Sequence, residues 1–230
     1  MNSKIIILTG KAQSGKTTSC EFINTTIVSS GMTSKIYAFA DPLKQLCSEL
    51  FNIPERLCWG DNEEKDLPTQ YRWSDFPLSV SRINNIMYND LELKDLTPSN
   101  DVTIRQLLQV WGTNIFREFE PNCWVNATIG KIKRESPDVA IISDARFPNE
   151  IDAFLEHETF VIRLERNPIN NSHRSEVALD DYDFCNVDNT WIIKNSDITI
   201  EQKNKKLEKI MDEILTHESC SNSKQQIGYS

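Results

Sequence analysis

Residues 4–9, Lys4-Ile-Ile-Ile-Leu-Thr9, form an apolar run with no polar alternation, and Gly10-Lys-Ala-Gln-Ser-Gly15-Lys16-Thr17-Thr18 follows at once. A short run that is apolar on both faces fits a strand covered on both sides, as in a parallel sheet flanked by helices. The loop after it has the pattern G-x-x-x-x-G-K-T. Its glycines let the backbone turn tightly and approach phosphate without a Cβ in the way. Its N–H groups and the N-terminus of the next helix make a nest of partial positive charge. In this pattern the lysine, Lys16, reaches the β- and γ-phosphates, and the hydroxyl of Thr17 ligates Mg²⁺. The bland alternative is a Gly-rich turn beside a helix end.

Composition narrows the partners. The chain has 230 residues, enough for one domain with a subdomain, and its 39% hydrophobic and 26% charged content is that of an ordinary globular protein. A formal net charge of −9 argues against a broad nucleic-acid footprint. No apolar run approaches membrane-span length, and the opening strand lacks the basic flank and cleavage site of a signal peptide. The six cysteines are scattered with no C-x-x-C pair, which suits reduced thiols in the cytoplasm and excludes zinc-site spacing.

The pattern along the chain alternates strands and helices. Helix is expected over 15–30 up to Gly31, strand over 35–40, and a helix from Asp41-Pro42 to about Leu50 with Asp41 as N-cap. Residues 52–100 hold four of the nine prolines, many acids and several aromatics without a clear period, which reads as an irregular inserted region over the nucleotide site. Helices are expected over 103–119, 121–134, 147–157 and 198–217, and strands over 139–144, 159–164 and 191–194. Residues 166–189 read as a polar loop, a lid, and 218–230 as a polar tail. The expected architecture is α/β: a parallel sheet with helices on both faces, forming a single domain over 1–217 with an acceptor-binding insertion at 52–100 and a lid at 166–189. Such sheets bind ligands at the carboxyl ends of their strands, where Gly10, Asp41, Asp144 and Arg166 fall.

Those ends carry the candidate chemistry. Asp144, at the end of Val-Ala-Ile-Ile-Ser, either holds Mg²⁺ or caps the next segment. Asp41 either handles the acceptor or only caps its helix, and Lys44 one turn on either meets an acceptor phosphate or is a solvated lysine. Phosphoryl transfer needs cations more than a strong base, and Arg105, Arg117, Arg146, Arg163, Arg166 and Arg174 are the candidates. Any one arginine could equally be a surface ion pair. His157, His173 and His217 share no ligand spacing. The aromatics of 59–76 could stack a base or form a small satellite core.

Taken together, these residues resemble the deoxynucleoside monophosphate kinase family of tailed phages, within the superfamily of nucleoside monophosphate kinases built on the phosphate-binding loop (P-loop). The resemblance rests on Gly10–Thr17, Phe39-Ala-Asp-Pro-Leu-Lys44, Arg105-Gln-Leu-Leu-Gln109 with Gly112-Thr113, Trp124, Asp144-Ala-Arg146-Phe-Pro-Asn-Glu150, Arg166, and His173-x-x-Glu176-x-x-Leu179. It spans residues 4–200 and is weakest over 52–100. Thr17 departs from members that carry an acid after the lysine.

The resemblance implies transfer of the ATP γ-phosphate to a deoxynucleoside 5′-monophosphate, a Mg²⁺ requirement, often a homodimer, and a place in DNA precursor supply in the host cytoplasm, without nucleic-acid or membrane partners. The cofactor-binding set is Gly10, Gln13, Ser14, Gly15, Lys16, Thr17 and Thr18, with Thr17 and Asp144 for the metal. The catalytic set is Lys16, Asp41, Arg105, Asp144, Arg146 and Arg166. The acceptor set is Asp41, Lys44, Arg105, Trp111, Arg146 and Glu176. The alternatives are another small-molecule kinase of the same fold, such as one resembling dephospho-coenzyme A kinase, and an NTPase switch. Against the switch, the guanine-specificity motif N-K-x-D is absent.

Overall fold

The computed structural model describes residues 3–11, 13–76, 85, 100–166, 178–184, 187 and 189–216. The chain divides into two compact units, Met1–Ala38 with Ile132–Ser230, and Phe39–Lys131.

The first unit is a five-stranded sheet in the order β2-β5-β1-β6-β7, with β1 Lys4–Thr9, β2 Ser34–Tyr37, β5 Val139–Ala145, β6 Thr159–Glu165 and β7 Thr190–Lys194. All four pairings are parallel. The apolar run of β1 is central, and Ile5, Ile6, Ile7 and Leu8 have no exposed surface. On one face, Ile6, Leu8, Ile141, Phe160 and Ile162 pack with Cys20, Ile23 and Ile27 of α1 (Lys16–Ser29) and with Leu207, Ile210, Met211 and Ile214 of α8 (Ile200–Thr216). On the other, Ile5, Ile7, Ala140, Ile142 and Val161 are equally buried. Burial on both faces is what the unbroken apolar pattern of β1 required, at about 1.5–3 kcal/mol for each large side chain removed from water.

The second unit contains α2 (Ala40–Leu50), α3 (Glu55–Cys58), α4 (Asn62–Lys65), β3 (Pro68–Arg72), β4 (Asp101–Thr103) and α5 (Ile104–Gln109), then α6 (Cys123–Glu135), whose residues from Ile132 belong to the first unit. β3 and β4 pair antiparallel. Cys47, Phe51, Cys58, Trp73, Val102, Ile104, Leu107 and Val110 form its core. The described part of 52–100, expected to be irregular, is therefore ordered: Trp73 is only 1% exposed, and Thr69 Oγ1 donates to the Val102 carbonyl at 2.7 Å. Residues 77–84 and 86–99 lie outside the described residues.

Three expectations need correction. β2 stops at Tyr37, and α2 begins at Ala40 with Phe39 in the capping position, so Asp41 lies in the first helical turn and is not the N-cap. An acid there still suits the helix dipole. The helix expected over 103–119 starts as foreseen, with Thr103 and Gln106 closing a capping box, but widens into a π-helical stretch, Val110–Phe116. At its centre the Gly112 carbonyl accepts from Trp124 Nε1 at 3.0 Å, and a Cβ on Gly112 would stand 2.5 Å from Leu43 Cδ2. A carbonyl bonded outside the helix favours this local widening. The helix expected over 147–157 ends at Asp152 as α7 (Pro148–Asp152). The Phe154 carbonyl then accepts from Thr159 Oγ1 at 2.6 Å, which ties the turn to the start of β6.

Phe160, fully buried and stacked at 6.2 Å on Trp191, is a sensitive probe of the first core. Phe160→Ala is expected to lower unfolding free energy by about 3–5 kcal/mol, read from chemical denaturation.

Candidate functional site

The exit of β1 is shaped by contact. Gly10 has φ 144°, and a Cβ there would sit 2.5 Å from the Leu164 carbonyl oxygen and 2.8 Å from Ser14 Oγ. Beyond it, Gln13 (φ 57°) and Gly15 (φ 90°) are left-handed, which winds the backbone so that its amides converge. Gly15 is the N-cap of α1 and supplies no side-chain acceptor, so the positive end of the helix is met by no capping side chain, an arrangement suited to an anion. Lys16 Nζ reaches back to the Gly10 and Lys11 carbonyls at 2.6 and 2.8 Å. Ser14 Oγ is buried without a hydrogen-bond partner among the described residues. A cradle that excludes a Cβ, an uncapped helix start and an orphaned hydroxyl together fit a phosphate group.

The end of β5 lies alongside. Thr9 pairs with Ala145, and Thr9 Oγ1 donates to the Ala145 carbonyl at 3.1 Å. Asp144, half-buried, is the penultimate residue of β5; Phe147, not Asp144, stands at the N-cap of α7. Cys20, on the second turn of α1, registers both charges. Burial and then Asp144 push its thiol up to about 12, while Lys16 opposes them. Glu150, 2% exposed, accepts from the Arg146 and Phe147 amides at 2.7 and 3.1 Å and so fixes the turn after the strand. Arg146 borders a cavity of about 790 Å³ at the carboxyl ends of β1, β5, β6 and β7, shared with Gly10, Lys11, Arg163, Asp180 and Asp197. The Arg163 guanidinium lies 5.0 Å from the Phe184 ring centre, and Lys11 pairs with Asp180 at 3.2 Å. Leu179 and Asp180 belong to the expected lid; His173, Arg174 and Glu176 lie outside the described residues.

Two residues at this loop escaped sequence reasoning. Lys203 of α8, 4% exposed, donates to Thr18 Oγ1 at 3.1 Å, and Asn195 Nδ2 donates to the Ser14 carbonyl at 2.8 Å. Burial and then the charge of Arg166 push the Lys203 amine down. The signal was available: Lys203 occupies the first position of the stripe Leu207, Ile210, Met211 and Ile214, where the helical period calls for an apolar side chain.

The remaining candidates belong to the second unit. Asp41 accepts from Trp59 Nε1 at 3.1 Å and lies 3.8 Å from Lys44 Nζ, which stands 5.4 Å from the Trp59 ring centre. Arg105 Nε donates to Asp66 Oδ1 at 2.6 Å. Lys65, unsuspected from the sequence, has its amine pushed down by burial and then by Lys44 and Arg105, so the three cations share one neighbourhood. Trp111 packs 5.0 Å from Phe51 and 6.1 Å from Phe76. Tyr71, Trp73 and Phe76 join that core, so the satellite-core reading holds for them; Trp59 is 39% exposed.

Among the described residues, no helix is long and apolar enough to cross a membrane. A family model described as deoxynucleotide monophosphate kinase matches residues 71–214. A protein of Acanthamoeba polyphaga mimivirus, named as a candidate deoxynucleotide monophosphate kinase, is 28% identical over 205 residues, covering 82% of this chain and 90% of its own. A deoxynucleoside-5′-monophosphate kinase of Escherichia phage T5 is 27% identical over 179 residues, covering 64% of this chain and 70% of its own. The family match begins well after the Gly10–Thr18 loop, so loop and match point independently to nucleotide chemistry.

Burial raises the Cys20 and Cys47 thiols from an ordinary 9.0 to about 12. Both should be silent to Ellman's reagent at pH 8 in the native protein and react only after denaturation, which absorbance will count. The raised values stabilise the fold fully below pH 9, and that contribution is lost as pH climbs toward 12.

Proposed function

This chain belongs to the deoxynucleotide monophosphate kinase family and is thus a kinase for a deoxynucleoside monophosphate, and we propose that it transfers the γ-phosphate of ATP to that acceptor with Mg²⁺, releasing the diphosphate and ADP. The observation that carries this reading is the Gly10–Thr18 loop, with its uncapped helix start and its lysine, lying outside the span that the family model matches.

Gly10, Gln13, Ser14, Gly15, Lys16, Thr17 and Thr18 take the donor phosphates, with Lys16 turning from the loop carbonyls to the β- and γ-phosphates. Thr17 and Asp144 would hold the metal, which when bound supplies charge neutralisation on the phosphates. Arg146 and Arg166 stabilise charge on the moving group. On the acceptor side, Asp41, Lys44, Arg105, Trp111 and Glu176 bind the monophosphate nucleotide, and Lys65 joins them. Like charges gathered around a half-buried amine are stabilised by an arriving anion, which supports an acceptor phosphate at Lys44, Lys65 and Arg105. Residues 52–100 select the base, and 166–189 close as a lid. The reading carries with it a homodimer working in the host cytoplasm.

A coupled ADP-release assay across the deoxynucleoside monophosphates, modified bases included, is expected to find at least one acceptor. Silence with all of them, or activity only on a non-nucleotide alcohol, sinks the reading. Lys16→Ala should abolish transfer while circular dichroism shows an intact fold.

Arg105→Met should raise KM for the acceptor about tenfold or more and leave KM for ATP unchanged, as expected for a lost charged contact. A change confined to KM for ATP would remove Arg105 from the acceptor side.

A further inference from the structure

The head of α8 presents a problem of charge. Lys203 is 4% exposed in a stripe otherwise made of Leu207, Ile210, Met211 and Ile214. Burying an ammonium is costly unless an opposite charge is near. Among the described residues, no carboxylate lies within 4.0 Å of Lys203, and the neighbouring influence of Arg166 is of like sign. The N-terminus of α1 adds further positive potential. Cys20 acts the other way, but burial keeps its thiol neutral, so the free protein holds a cation that burial and Arg166 oppose.

The ammonium is anchored to the phosphate loop. Its nitrogen would lie 3.5 Å from a Cβ on Gly15, with Asn195 Nδ2 at 3.9 Å from the same point. Lys203 donates to Thr18 Oγ1 (3.1 Å), which donates to the Gly15 carbonyl (3.0 Å); Asn195 holds the Ser14 carbonyl (2.8 Å). A peptide unit is planar and trans, so its N–H points opposite to its C=O. Pinning the Ser14 and Gly15 carbonyls therefore aims the amides of Gly15 and Lys16 the other way.

We propose that Lys203, with Asn195, is a positioning residue of the phosphate loop: it fixes the Ser14–Thr18 turn so that its amides face the donor phosphates, and it adds a buried positive charge that those phosphates compensate. The inference rests on the reading that this loop binds the donor nucleotide. It explains why a lysine stands at a position where an apolar residue would extend the core.

The test is titration calorimetry with ADP, beside thermal melts and steady-state kinetics. Lys203→Met keeps the length of the stem and removes the charge. It should weaken ADP about tenfold, the scale of a lost charged hydrogen bond, with KM for the deoxynucleoside monophosphate unchanged. The ligand-free melting temperature should be no lower than wild type, because an unfavourable buried charge is gone. Asn195→Ala keeps the ammonium, frees the Ser14 carbonyl, and should weaken ADP several-fold; it carries the test if K203M does not fold. ADP affinity within twofold of wild type in the folded variant, or equal losses for ADP and acceptor, overturns the proposal. Lys16→Ala separates the two levels. If it too leaves ADP affinity unchanged, the donor reading of the loop fails; if it weakens ADP while K203M and N195A do not, only the role of Lys203 fails.

Discussion

The contact of Gly10 with the Leu164 carbonyl governs the first unit. Strand β1 is central and buried from Ile5 on, so the chain leaves it between two neighbouring strands, with no room for a side chain at its first free residue. A glycine there lets the backbone press against β6, and the loop that follows is wound by left-handed residues into an amide nest ahead of α1. Loop shape and helix start thus follow from one close approach. The ligand-binding edge is the carboxyl end of the sheet because β1 lies at its switch point, with β5 on one side and β6 on the other.

Electrostatics then differentiates that edge. Asp144 and Lys16 both act on the Cys20 thiol, with opposite sign, while the Glu150 carboxylate accepts from two backbone amides and shapes the turn after β5. The cations are distributed with purpose: Lys16 on loop carbonyls, Arg163 over an aromatic ring, Lys203 beneath the turn at Gly15. The second unit repeats the theme with Lys44, Lys65 and Arg105, whose mutual repulsion is moderated by Asp41 and Asp66. Positive charge held at a cost in the free protein is a recurrent property of sites that receive anions.

Much of this was legible in advance where a local rule was strong. The apolar runs of β1, β5 and β6 announced a covered parallel sheet, and apolar residues at helical spacing after Thr103 announced the start of α5. Legibility failed where tertiary partners overrode local preference. Asp41-Pro42 reads as a helix start, yet the helix begins before it and the carboxylate goes to Trp59. The widening at Gly112 depends on Trp124, twelve residues on, and Tyr71, Trp73 and Phe76 show no period because they pack irregularly beside Phe51.

The sequence by itself determined the phosphate loop and the covered sheet, because glycine spacing, apolar periodicity and a lysine followed by threonine act over a few adjacent residues, and it carried the family in motifs beyond that loop. Only the tertiary structure decided which distant groups serve that loop. Lys203 and Asn195 are separated from it by more than 170 residues of chain, and their hydrogen bonds to Thr18 and to the Ser14 carbonyl exist because β7 and α8 pack beside β6 and α1. A pattern in sequence reports neighbours along the chain; the charge and hydrogen bonding of a site are set by neighbours in space.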